Sequence, residues 1–362
     1  MRIISTAYYP VTGFSDPVQW LERIDFYTCI LEALATRAEV HSLEHIGIRT
    51  KLVRKGVHYH FRSLGPVSRR LPFSNHRFIR SLQPDAVLVN GISVPMQVLQ
   101  LRAALGSKVK LLLWHRDEKP GGRVRTQLQR LADSTVDGYL FTSPGNAAPW
   151  LKKRILKPDR MHYLLHGSSV FLQGDGMGMR RQLQWEHNPI FLWVGRLDAN
   201  KDPMTVLHAF ERLLRLHPEA RLLMAGTGEL EEAMKARIAA SGPLSVSAKM
   251  LGALPHRALE PMYHAADYFV SASHYEGGGI AFCEALSCGC VPVYSRIPSL
   301  MHLAGNLGAS FVPGDVAGLE RAMRVALLPE LVSQKEAVVQ RFRESFSPEA
   351  IASGLITILS GR

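Results

Sequence analysis

Two carboxylates flank a run of glycines in the stretch SASHYEGGGIAFCEALSCGCVPVYS, residues 271–295. Glu276 stands just ahead of Gly277, Gly278 and Gly279, and Glu284 follows eight residues later. The pattern reads as a strand end, a glycine loop, a short helix beginning near Gly279 or Ile280, and another strand. Glu284 then lies about one turn inside the helix and Glu276 stays in the loop before it, so both carboxylates can reach one ligand. The glycines leave backbone N–H groups uncovered at a helix N-terminus, a ready anion site. Carboxylates beside a phosphate cradle suit a ligand bearing both hydroxyls and phosphates, such as a nucleotide sugar. A glycine turn between strand and helix also occurs where nothing binds, so the surrounding residues must decide.

Arg196 and Lys201 stand five residues apart in GRLDANKDP, directly after an apolar run that reads as a strand. An arginine fork and a lysine point charge on one strand-to-helix loop suit a pyrophosphate. They would stabilise charge building on a departing diphosphate. In the first half, His115 heads His115-Arg116-Asp117-Glu118 at the end of the strand Val109–Trp114. Ligands of open α/β sheets bind outside the carboxyl ends of strands, so His115 is placed for chemistry; a strand cap bonded to backbone is the plainer reading. The four cysteines, Cys29, Cys283, Cys288 and Cys290, show no CxxC pair or histidine spacing that suits zinc. No metal site is expected, and buried thiols in a reducing, cytoplasmic setting are.

The elements that must hold these residues alternate strand and helix throughout, which implies parallel sheets with crossover helices. Expected strands in the first half are 3–7, 39–43, 57–61, 85–90, 109–114, 137–142 and 160–165, with a helix over 17–37. In the second half they are 190–194, 221–225, 250–253, 268–271, 291–294 and 310–312, with helices over 203–216, up to 240, and over 348–359. Residues 173–179, rich in glycine and without periodicity, read as the linker. The expected division is 1–170, 171–345 and a C-terminal helix within 346–362.

A length of 362 residues accommodates two such domains, and 46% hydrophobic with 20% charged residues is a globular composition. No run approaches a membrane span, and the N-terminus lacks the apolar core of a signal peptide. Charge is uneven: residues 1–170 hold 25 of the 43 Lys/Arg but only 12 of the 31 Asp/Glu. An anionic partner for the first half is therefore expected, either a membrane surface or a phosphate-bearing acceptor. The segment 63–80, with Arg69, Arg70, Arg77 and Arg80 among prolines and aromatics, reads either as interfacial or as a solvated loop and helix. No basic motif interleaved with aromatics supports nucleic acid.

VGRLDANKD, MAGTGEL and LGALPHRALEPMYHAADYFVSASHYEGGGIAFCEALSCGCVPV occur in this order, with the Glu276–Glu284 spacing. Together they resemble retaining glycosyltransferase family 4, also called group 1. The resemblance implies an α/β GT-B fold: two Rossmann-like domains facing across a cleft, the C-terminal helix crossing back to the first. It implies a hexosyltransferase type of enzyme, retaining and metal-independent, that needs no cofactor beyond its UDP- or GDP-sugar donor. The acceptor would be a glycan or lipid-linked glycan in cell-surface polysaccharide or glycolipid biosynthesis, handled in the cytoplasm or at the inner face of the membrane.

Residue by residue, Arg196 and Lys201 match the pair holding the donor diphosphate and Glu284 the carboxylate on the ribose. Glu276 matches the one facing the donor sugar, with Gly277 to Ile280 offering N–H groups. Leu254 and Pro255 match the nucleobase lining, and Gly226 and Gly228 the glycines beside it. His115 matches a histidine near the sugar, and Gly13 part of the first-domain glycine loop. Two features depart from the pattern: Gly13 is followed by Phe14 where a second glycine is common, and HGSSVFLQG from His166 replaces an Asn-Gly-Val-Asp segment. Another GT-B chemistry, epimerase or phosphorylase, or a non-catalytic relative, is the alternative.

Overall fold

The structure is a computed structural model that describes residues 1–116 and 118–361. Asp117, expected beside His115, and Arg362 lie outside the described residues. The chain divides into two compact units. The first comprises Met1–Ser168 with Pro348–Arg362, and the second Ser169–Ser347.

The first unit is built on an eight-stranded sheet. Its strands are β1 (Arg2–Ala7), β2 (Glu39–Glu44), β3 (Thr50–Arg54), β4 (Val57–Phe61), β5 (Ala86–Asn90), β6 (Lys110–Trp114), β7 (Gly138–Phe141) and β8 (Met161–Tyr163). They lie in the order β3-β4-β2-β1-β5-β6-β7-β8. All pairings are parallel except β3 with β4. Its helices are α1 (Pro17–Arg23), α2 (Asp25–Leu34), α3 (Pro66–Arg70), α4 (Phe73–Ser81), α5 (Pro95–Leu105), α6 (Arg123–Asp133) and α7 (Pro144–Lys152). Right-handed crossovers put α4, α5 and α6 on one face, because β4, β5, β6 and β7 advance in one direction across the sheet. The β1-to-β2 crossover runs the other way and carries α1 and α2 on the opposite face, where the C-terminal helix Pro348–Ser360 packs against α2.

Parallel strands are covered on both faces and so carry continuous apolar runs. All of β5 is buried, as are Leu111 to Trp114. Two elements differ from the sequence reading. The helix expected over 17–37 breaks at Ile24, whose φ of −112° and ψ of 25° end α1 and begin α2. Strand β3 was not expected; it forms a hairpin with β4 through Lys55 and Gly56, both at positive φ.

The second unit has a six-stranded, wholly parallel sheet. Its strands are β9 (Ile190–Val194), β10 (Arg221–Ala225), β11 (Ala248–Gly252), β12 (Tyr268–Ser271), β13 (Val291–Ser295) and β14 (Ala309–Phe311). The order is β11-β10-β9-β12-β13-β14. The chain winds outward from β9 in one direction and from β12 in the other, so the crevice of this sheet lies between those two strands. Residues 173–179 are not a free linker. They belong to the second unit, where a Cβ at Gly176 would come 2.1 Å from the His264 carbonyl oxygen. The lack of periodicity there reflects backbone packed against backbone. Among the described residues no helix is long and apolar enough to cross a membrane.

The first sheet also carries histidines on adjoining strands. His41 Nδ1 lies 3.0 Å from His60 Nε2, and His41 Nε2 lies 3.0 Å from Glu39 Oε1. His76 Nε2 lies 2.8 Å from the Tyr8 hydroxyl. Burial depresses His60 and His76, each to about 4. The unfolded chain, with ordinary imidazoles near 6.5, therefore binds more protons than the folded one between those values. The stability of this unit is expected to be complete above about pH 6.5 and to fall as pH drops toward 4. Hydrogen exchange of β2 and β4 across this range checks it, and His60→Phe should flatten the dependence.

Candidate functional site

The residues singled out in the second half stand at the carboxyl ends of β9, β10, β11 and β12. The loop after β9 runs from Gly195 to Asp202, and the helix Pro203–Leu213 follows, opened by Asp202 as its cap. Asp198 Oδ1 accepts from the Lys201 amide at 2.9 Å, which folds the loop back on itself. The loop after β12 is locked onto it: His274 N donates to the Asn200 carbonyl at 2.8 Å, and Asn200 Nδ2 donates to the Tyr275 carbonyl at 3.1 Å. These bonds bring Lys201 Nζ within 2.6 Å of Glu276 Oε1, which also accepts from Ser273 Oγ at 2.7 Å. Arg196 is held only loosely, its Nε 3.4 Å from Asp198 Oδ2 and its side chain 80% exposed.

The helix anticipated after the glycines spans Ile280–Cys288, with Gly279 as its N-cap at φ 62°. No side chain caps it and no acid occupies its first turn, so its first N–H groups remain available to an anion. A Cβ at Gly279 would approach Leu303 Cδ1 to 2.9 Å, a second reason for glycine there. Glu284 lies one turn in and is 3% exposed. Its Oε1 is 2.6 Å from His256 Nε2, and its Oε2 accepts from the Tyr263 hydroxyl at 2.8 Å. Each carboxylate oxygen can accept more than one hydrogen bond, so a diol can still be received. Burial, with the Glu284 charge adding to it, raises the Tyr263 phenol well above its ordinary range, which keeps it a donor. Leu254 and Pro255 lead into the short 3-10 turn His256–Leu259, which aims His256 at Glu284 while its ring stacks on Phe171 at 4.7 Å.

Gly226 and Gly228 have an immediate packing role. A Cβ on Gly226 would stand 1.7 Å from the Gly195 carbonyl oxygen, and one on Gly228 2.5 Å from that of Leu197. Gly226 also sits at φ 141°. Their loop is thereby pressed against the Arg196 loop, with Leu197 N donating to the Thr227 carbonyl at 3.0 Å.

In the first unit the outcome differs from expectation. His115 has no exposed surface: its Nε2 lies 2.9 Å from the Glu118 carbonyl and its ring stacks on Phe141 at 4.7 Å. The strand end turns the His115 ring inward, against Phe141 and the Glu118 carbonyl. Gly13 is exposed at φ 83°, in the loop after β1. Near it a cavity of about 90 Å³ opens at the ends of β1, β2 and β5, lined by Tyr9, Trp20, Tyr27, Glu44, Arg116 and His166. His166, which sequence reasoning treated only as a departure, stacks on Tyr27 at 5.1 Å and lies 3.2 Å from Asn90 Oδ1. Burial holds this imidazole well below its ordinary pKa, so it is neutral. Burial also raises the Glu44 carboxyl, which accepts from Ser42 Oγ at 2.7 Å and Trp20 Nε1 at 2.9 Å.

Asn200, His256, Tyr263 and Ser273 were missed. Tyr263 and His256 lie 21 and 28 residues before Glu284, and no sequence period connects them.

The two α/β units, each on a largely parallel sheet, have the fold of GT-B glycosyltransferases. Sucrose-phosphate synthase from Thermosynechococcus elongatus superposes with a TM-score of 0.75 at 17% identity, covering 100% of this chain and 99% of that one. Anabaena HepE in complex with UDP gives 0.77 at 13%, covering 100% of both. These likenesses establish the fold. Residues 179–345, within the second unit, match the family model of glycosyl transferases group 1. Glycogen synthase of Mycobacterium tuberculosis H37Rv is 33% identical over 171 residues, 45% of this chain and 40% of the relative. A GDP-mannose:cellobiosyl-diphosphopolyprenol alpha-mannosyltransferase of Xanthomonas campestris is 28% identical over 183 residues, 50% of this chain and 44% of the relative. The matched region thus spans less than half the length of these curated relatives.

Tyr263→Phe deletes one bond to a buried carboxylate, at a cost of about 1–3 kcal/mol. Stability is expected to fall by that amount with the fold intact, measured by urea unfolding alongside circular dichroism. Gly226→Ala is expected to lower stability by about 2–3 kcal/mol through strain and overpacking, read from urea unfolding.

Proposed function

We propose that this protein is a retaining glycosyltransferase that moves a sugar from a nucleoside-diphosphate donor to a glycan or lipid-linked acceptor. The observation that carries this reading is the Lys201–Glu276 pair at the crevice of the second sheet. It lies beside the exposed Arg196 and the uncapped N-terminus of Ile280–Cys288. Lys201 carries three N–H donors. It can keep one on Glu276 and present the others to a phosphate, while Arg196 swings onto the diphosphate as a fork. Both cations stabilise the charge that builds on the leaving group as the glycosidic bond breaks, the part a divalent ion plays in metal-dependent transferases.

The amides of Gly277 to Ile280 receive phosphate or sugar oxygens. Glu276 faces the sugar, Glu284 takes the ribose diol, and Leu254 and Pro255 lie against the base. Gly226 and Gly228 shape the floor by admitting the Arg196 loop. The acceptor hydroxyl passes its proton toward the departing diphosphate and attacks the same face, so the anomeric configuration is kept. UDP or GDP serves as the base-bearing carrier, and no further cofactor takes part. A role in cell-surface polysaccharide or glycolipid synthesis, in the cytoplasm or at the inner face of the membrane, follows from this acceptor class and from the basic first half. The names of the similar proteins, a glycogen synthase and a diphosphopolyprenol mannosyltransferase, agree with it.

A thermal-shift screen over UDP, GDP and their sugars should find a stabilising ligand, worth about 2.7 kcal/mol at a hundred times its Kd. With that donor, Lys201→Ala and Arg196→Ala are each expected to lower donor turnover by about 10²–10³-fold. No stabilisation by any nucleoside diphosphate, or unchanged turnover in both variants, would reject the assignment.

A further inference from the structure

We propose that one edge of the first unit, formed by α3 and the first turns of α4, α5 and α6, is a docking face for an anionic lipid surface. The inference deepens the proposed function, because it rests on a lipid-linked acceptor for its purpose. Its physical basis is independent of that reading.

The edge is defined by topology. Strands β4, β5 and β6 are parallel, and the connections leaving their carboxyl ends enter α3, α5 and α6. The starts of these helices therefore lie at one end of the sheet. Hydrogen bonds fasten them together: Gln97 Nε2 of α5 donates to the Arg69 carbonyl of α3 at 2.9 Å, and Arg125 Nη2 of α6 donates to the Ser93 carbonyl just before α5 at 2.5 Å. Tyr9, just beyond β1, lines the cavity described above together with Arg116, and the Glu118 carboxylate accepts from the Ile92 amide beside it.

This edge exposes large apolar side chains that the fold does not use. Val67 is 74% exposed and Val124 78%, and Leu71, Phe73 and Met96 are exposed as well. Phe73 is the first residue of α4, while Met96 and Val124 are the second residues of α5 and α6. They stand among cations that lack carboxylates nearby in the chain. Residues 62–84 contain five arginines and no Asp or Glu, and residues 119–132 contain four Lys/Arg and none. Arg69, Arg70 and Arg123 are exposed, and among the described residues none of them forms an ion pair. Elsewhere in the unit, Arg2, Arg54 and Arg102 are each paired with a carboxylate.

Exposed guanidinium groups around exposed aliphatic side chains match a membrane interface, where anionic headgroups take the charge and the acyl boundary takes the apolar tips. A nucleic acid would satisfy the arginines but leave Val67, Leu71, Met96 and Val124 against water, since strand binding relies on aromatic stacking. With this edge on the membrane, the cavity mouth beside Tyr9 lies close to the headgroup layer, where a lipid-linked glycan would present its sugar.

The test is co-sedimentation of the full chain with vesicles of phosphatidylcholine alone and of phosphatidylcholine containing about a third phosphatidylglycerol, at a molar ratio set for each cation to act at the surface. Binding is expected to the anionic vesicles only and to weaken as salt rises. The triple variant Arg69→Ser/Arg70→Ser/Arg123→Ser should lose about two orders of magnitude in partition, about fivefold per cation. Val67→Ser/Leu71→Ser should also weaken it. Removing Arg212, Arg215 and Lys249 of the second unit should leave it unchanged. Equal binding to both vesicle types, an unaffected triple variant, or retention of a single-stranded oligonucleotide in place of vesicles would overturn the proposal. Nucleoside-diphosphate binding measured on the same preparations separates the two readings. A variant that loses vesicles but keeps the nucleotide supports the docking face, and a wild type that binds the nucleotide but no vesicle rejects it alone.

Discussion

The second unit depends on one electrostatic constraint, the pairing of Lys201 with Glu276 across two loops that leave neighbouring strands. A carboxylate this enclosed needs a cationic or hydrogen-bonding partner, and Glu276 has both Lys201 and Ser273. The pair in turn needs Asn200, whose backbone and side chain fasten one loop to the other. The loops can meet because β9 and β12 are adjacent and their crossovers depart in opposite directions, which leaves the crevice uncovered by helices. Sheet order, loop geometry and charge placement are thus consequences of one arrangement.

Glu284 illustrates a second kind of support. It is buried in the first turns of a helix and is held by a phenol and an imidazole that come from a different part of the chain. The stack of His256 on Phe171 fixes the imidazole plane. The carboxylate is therefore oriented before any ligand arrives, which lowers the entropy a ligand must give up to engage it.

Much of this was legible in the sequence, and the limits follow from range. The strands of the second sheet were readable because fully buried parallel strands write uninterrupted apolar runs. The relation of Glu276 to Glu284 was readable because a helix has a fixed rise. The break at Ile24 was not, since it rests on two backbone angles inside an otherwise apolar stretch. Strand β3 was overlooked although Lys-Gly stands between TKLVR and VHYHF, a two-residue turn between alternating runs. The place of a histidine after a strand end was readable, but the direction of its ring was not. His115 turns in and His166 lines the cavity because of packing against Phe141 and Tyr27, contacts set by tertiary structure. Tyr263 and His256 belong to the same class, since their partner is distant in the chain.

The C-terminal helix has a consequence for how the molecule is made. It belongs to the first unit and packs on α2, yet the whole second unit is inserted between it and Ser168. A ribosome therefore completes every strand of the first sheet long before it supplies the helix that shields α2. At about 5–20 residues per second, α2 waits for that cover through the synthesis of an entire second domain. The nascent chain carries an open seam for that interval, until the helix Pro348–Ser360 emerges to cover it.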